Sequence, residues 1–221
     1  MPSWLGQKSR DEGRHWLPSQ GVDPAPLTEL NAECLGLLSA RAAEVVCNAS
    51  NPPLLLALRA PWESLTSQAT RRLAAAPFSL FDAGFASASR WLELRGRAVQ
   101  ELTPRAEHIY FDPVAARSIT RRALVYGWHL ARSRPRAACL VFGATLPAIE
   151  SLAACSLSAL EAAAERNGDA LRPRWAQQHA FWRELLLAAS AGADRRLHEL
   201  LLGGVQRLAA ETLAAQSLPG R

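Results

Sequence analysis

The sequence predicts an all-α fold, a multi-helix bundle with short extended connectors, and three observations predict it. About half of the 221 residues are apolar, and the aliphatic ones are mostly Ala and Leu, with few Val and Ile. Unbranched side chains keep more rotamer freedom in a helix than β-branched ones. Apolar residues recur at spacings of three and four, and Ser, Thr, Asp or Pro stands where such stretches begin. Two patterned regions follow a flexible tail (1–26): a helical unit over 27–104 and a second over 112–215.

The tail holds Pro2, Pro18, Pro24 and Pro26 with Gly6, Gly13 and Gly21 and has no apolar period. Trp4 and Trp16 are its candidate anchors, on the folded body or on a partner. The first helix is expected to start at Thr28 as N-cap, with Leu30, Cys34, Leu37, Leu38 and Ala42 facing the core. Asn48 to Pro53 breaks the pattern. A short helix, Leu54 to Arg59, should stop at Pro61, and Trp62 or Ser64 then opens a helix that ends at Pro77. Phe78 to Phe85 reads as an extended piece or a buried turn. Trp91 to Leu102 reads as helical or loosely ordered.

The second unit opens at Asp112-Pro113, an N-cap followed by proline at the first helical position. Its long helix should run to about Arg132, with Ile119, Ala123, Tyr126 and Leu130 inward and Arg117, Arg121, Leu124, Trp128 and Arg132 outward. Pro135 begins a helix ending at Gly143, Thr145 starts another, and Ser156 caps a third that Asn167-Gly168 should stop. Arg172 to Trp175 is a short extended connector. Two helices follow, about 176–190 and 193–215, parted by Gly192.

The two units share one order: long helix, short helix, Ser/Thr-started helix, extended tail. Leu65 to Ala74 leads into 78–85 as Leu157 to Arg166 leads into Leu171 to Trp175. Such an order suggests a tandem duplication, although Ala-rich helices also resemble one another by chance.

Charge is unevenly placed. Residues 1–110 carry 11 basic and 11 acidic side chains, whereas 111–221 carry 14 and 9, the source of the net +5. No acidic residue lies between Asp112 and Glu150, a window holding Arg117, Arg121, Arg122, Arg132, Arg134 and Arg136. Such a window attracts phosphate or an acidic protein surface, or is a plain solvated helix face. With Arg172 and Arg174 these are the candidate nucleic-acid or acidic-partner ligands, and Trp128 is the candidate partner contact. Trp62, Trp91, Trp128, Trp175 and Trp182 are many for the length; Trp with Arg is the composition of interface hot spots, and also of helix-gap filling.

The second unit resembles the FlhD family of flagellar transcriptional activator subunits over about residues 115–210. The likeness lies in the long helix from Ile119 to Leu130, then Arg136 to Ala144, Ile149 to Ala154, Leu157 to Ala164, and the exit from Leu171 to Trp175. It is one of order, spacing and residue class. The resemblance implies a helical regulator acting in a complex that contacts promoter DNA, with no DNA-reading residue transferable. The family is about half this length, usually has an acidic residue where Arg136 stands, and has a cysteine in its strand-like exit that 171–175 lacks.

Enzyme chemistry is not expected. Gly203-Gly204 lies in helical sequence and makes no phosphate loop, no G-x-S-x-G is present, and His15, His108, His129, His179 and His198 are scattered. Cys34, Cys47, Cys139 and Cys155 lack metal-finger spacing, so neither a metal nor another cofactor is expected. No leader or membrane-length apolar run is read, which points to a cytoplasmic protein. The readings carried forward are an FlhD-like regulator in DNA-associated complexes and, as the alternative, a helical adaptor in a secretion or motility assembly, with a protein partner or self-association.

Overall fold

In the computed structural model, residues 23–44, 51–85 and 108–217 are described. They form an all-α, multi-helix fold with two very short strands. Among the described residues no single helix is long and apolar enough to cross a membrane.

Helix α1 (Ala25–Glu44) starts three residues before the expected cap. Asp23, not Thr28, does the capping, its carboxylate accepting from the Ala25 N–H at 2.9 Å, so Ala25 and Pro26 belong to the helix and not to a tail. Two five-residue helices follow, α2 (Pro53–Ala57) and α3 (Arg59–Glu63). Pro61 does not stop a helix; it lies in the first turn of α3, where no intrahelical N–H bond is needed. Thr66 caps α4 (Ser67–Ala74), accepting from the Ala69 N–H at 3.2 Å. Strand β1 is Phe81–Asp82. The expected helix at 91–102 lies outside the described residues, as do Trp4, Trp16, Trp91 and Cys47.

In the second unit Asp112 caps α5 (Pro113–Ser133), taking the N–H groups of Val114 and Ala115. Helix α6 (Pro135–Phe142) ends at Gly143, whose φ of 61° is a left-handed conformation that favours glycine. Helix α7 (Leu146–Ala153) leads to α8 (Leu157–Asn167), capped by Ser156 accepting from the Ala159 N–H at 3.2 Å. Gly168 does not end that helix in a left-handed turn; its backbone stays right-handed and a 3-10 turn (Gly168–Ala170) continues the chain. Strand β2 (Arg172–Pro173) pairs antiparallel with β1, Phe81 opposite Pro173 and Asp82 opposite Arg172. Helices α9 (His179–Ala191) and α10 (Asp194–Ser217) complete the chain, with a left-handed turn at Gly192 between them.

The packing repeats along with the order of elements. Helix α1 lies against α3 and α4, as α5 lies against α7 and α8, and α1 and α5 pack on each other. One continuous apolar cluster runs through both units, so they share a core. Leu124, expected on the outer face of α5, is inside it, while Tyr126 is only partly buried. Helix α9 covers α3 and α4, with Trp182 against Trp62 at 5.4 Å between ring centroids. Helix α10 packs on α9 and α6. Trp175 has a φ of 52°, unusual for so large a side chain, and its ring N–H donates to Glu211 of α10 at 2.8 Å.

Candidate interaction surface

The outer side of α5 carries most of the candidate cations, and the folded chain treats its two ends differently. Near the N-terminal end, the antiparallel approach of α8 brings one carboxylate to two guanidiniums. Glu165 lies 3.6 Å from Arg117 Nε and 3.2 Å from Arg121 Nη2. Arg122, on the adjoining face, pairs with Glu33 of α1. Exposed pairs of this kind contribute about 0–1 kcal/mol of stability, yet they cancel much of the field a phosphate would feel.

Two more arginines are drawn into the unit junction. Arg172 reaches Asp82, its partner across the β1–β2 ribbon, at 3.3 Å. Arg174 is not a surface cation at all: its side chain is buried, and burial pushes its guanidinium below the usual arginine range. It donates from Nε to the Ser79 carbonyl at 2.8 Å and from Nη2 to the carbonyls of Phe81 and Phe142 at 3.2 and 2.9 Å. These bonds tie the end of α6 to β1, and the expectation that Arg174 binds a partner is corrected. The reason is topological: β2 pairs with a strand 91 residues earlier, which puts the following side chain inside.

The C-terminal end of α5 differs. Trp128 is partly buried, and its ring N–H donates to the Cys155 carbonyl at 2.9 Å, which fixes the indole against the turn between α7 and α8. The guanidinium of Arg132 sits 4.6 Å from that ring's centroid, a cation–π arrangement. Arg132, Arg134 and Arg136 are all exposed, and no carboxylate is seen paired with Arg132 or Arg136 among the described residues. Leu157, two residues beyond Cys155, is 54 % exposed. Of the eight arginines, four are paired with carboxylates, Arg174 is buried, and Arg132 and Arg136 are exposed with no carboxylate partner among the described residues.

Sequence reasoning named the cations but not their partners. Glu33 and Asp82 come from the first unit and carry no local signal. Glu165 has one, its position on a helix that must pack against α5. Leu157 follows a cap residue, and nothing in the sequence marks it as exposed.

Among the described residues no three His, Cys, Asp or Glu side chains come together in a metal-binding cluster. Cys34, Cys139 and Cys155 are buried thiols, and burial raises Cys34 and Cys139 above the usual thiol range. A cavity of about 30 Å³ behind Tyr110 and Phe111 has room for roughly one water. Comparison with family models, curated proteins and solved structures finds no match to this chain.

Proposed function

We propose that the protein is a non-catalytic helical adaptor of the cytoplasm, working as a regulatory subunit through protein contact, and that the end of α5 receives an acidic partner. The observation that carries this reading is the split among the arginines. Three carboxylates, Glu165, Glu33 and Asp82, offset four of the eight and Arg174 is internal, which leaves few of these arginines to contact a duplex backbone. What remains at this end of α5 is Arg132 stacked on Trp128, with Arg136 exposed at the start of α6 and Leu157 exposed at the start of α8. An indole stacked with a guanidinium has the composition of a protein-contact hot spot.

A second reading, an FlhD-like transcriptional regulator in DNA-associated complexes, draws on the order of elements in the second unit. A long helix, short helices, a Ser-capped helix and a strand-like exit follow one another there, as the resemblance implies.

Two measurements separate the readings. Poly-glutamate, as an acidic probe, should quench or shift tryptophan fluorescence, and the Arg132→Glu/Arg136→Glu variant should bind it roughly three- to tenfold more weakly. Equal binding by both proteins rejects the adaptor site. Duplex DNA at low salt should not be retarded by the wild-type protein; retardation that declines steeply with salt supports the regulator reading instead.

A further inference from the structure

Helices α1 and α5 bury matching positions. Each of the seven buried residues of α1 falls, 89 residues later, on a buried residue of α5; Leu30 and Ile119, Leu35 and Leu124, and Ala42 and Ala131 are examples. Any two amphipathic helices match in some phase, so the shift needs independent support. The two side-chain caps supply it, Thr66 and Ser156 lying 90 apart with the same 3.2 Å bond to the N–H three residues on. A second support is a tether. Ser39 donates to the Trp62 carbonyl at 2.8 Å, and its counterpart 89 residues on, Trp128, donates to the Cys155 carbonyl at 2.9 Å. Each bond fastens the long helix to the chain just ahead of the capped helix.

The strands agree with a two-fold relation between the copies. A shift of 91 carries Phe81 to Arg172 and Asp82 to Pro173, so the pairing Phe81–Pro173 becomes the pairing Asp82–Arg172. An antiparallel ribbon that maps onto itself when its strands are exchanged has a two-fold axis through its middle. A residue close to such an axis must face its own counterpart. Glu33 does so: it pairs with Arg122, the residue 89 later.

We infer that the chain is a dimer within one polypeptide, its two units joined by a self-recognition interface along α1, α5 and the β1–β2 ribbon. The occupant of that interface is the other copy of the same unit. In an isologous pair of identical chains, a residue on the axis meets itself, and a charge there repels. Fusion lets the two copies diverge, and here they carry opposite charges. Glu33 and Arg122 therefore favour unlike units over two first units or two second units.

The two-fold relation makes a sharp demand on distances in the full chain. Glu29, Glu44, Ser118 and Ser133 are exposed, and the shift of 89 exchanges Glu29 with Ser118 and Glu44 with Ser133. Spin labels on Glu29→Cys/Ser133→Cys and on Glu44→Cys/Ser118→Cys, in a Cys47→Ser background, should give superimposable distance distributions by pulsed electron resonance. Clearly different mean distances overturn the two-fold relation. Charge reversal checks the axis pair separately. Glu33→Arg and Arg122→Glu should each lower the melting temperature, and the combined reversal should restore it; a combined variant as unstable as the sum of the two shows that Glu33 and Arg122 do not face each other across the interface.

Discussion

The two units bury the same positions with different chemistry, and they present different surfaces. Asn31 of α1 is fully buried and satisfied: its amide donates to the carbonyls of Ala74 and Phe78, and its oxygen accepts from the Leu80 N–H. Its counterpart Thr120 is just as buried, and its hydroxyl has no partner among the described residues. Outside, Ser39 and Ala43 of the first unit stand where the second has Trp128 and Arg132. A shared packing frame has thus been kept while polar and surface groups diverged. Positions that fill the core are constrained by volume, whereas a polar group is constrained only by whatever happens to face it.

The largest expected contrast lies at the buried pair. Asn31→Leu leaves two carbonyls and one N–H of the 74–80 segment unsatisfied and should cost about 3 kcal/mol in urea unfolding. Thr120→Val removes a hydroxyl that makes no bond and should change stability by no more than about 0.5 kcal/mol, or raise it. Comparable losses at the two positions mean that Thr120 has a partner and the contrast is false.

A smaller effect tests what the units share. Thr66→Ala and Ser156→Ala each remove one equivalent cap bond and should each cost about 1 kcal/mol. A marked inequality would indicate that one capped helix depends on tertiary packing much more than the other.

The smallest effect appears only at alkaline pH. Cys34 is buried, and burial raises its thiol well above the ordinary thiol range, with Glu33 pushing the same way. A raised folded-state value means the thiol stabilises the fold fully below pH 9 and that this stability is lost as pH climbs, by at most about 1.4 kcal/mol per unit. The counterpart in α5 is Ala123, so Cys34→Ala should flatten the unfolding curve between pH 9 and 10. It should leave the share that Cys139, also raised by burial, contributes in the same window, and the later decline caused by Tyr110 and Tyr126, which burial raises as well. An unchanged slope in this variant excludes Cys34 as the source.

Much of the fold was legible because its signals are local. Asp112-Pro113, Pro135, Ser156 and the glycines at 143 and 192 mark helix ends through caps and backbone preferences that act within four residues. The errors were local as well. Asp23 caps the helix in place of Thr28, which lies inside the first turn that Asp23 starts. Pro61 was tolerated because it fell in a first turn, and Gly168 kept a right-handed backbone that any residue can adopt.

The candidate surface was read less well, since a guanidinium is available only if no carboxylate is folded against it. By itself the sequence determined the helical class, the order shared by the two units and the concentration of arginine in the second. Only the tertiary structure decided which arginines remain open, because Glu165, Glu33 and Asp82 reach them from 44 to 90 residues away and β-pairing turned Arg174 inward. Helix signals span one turn of chain, whereas charge neutralisation depends on which elements meet in space.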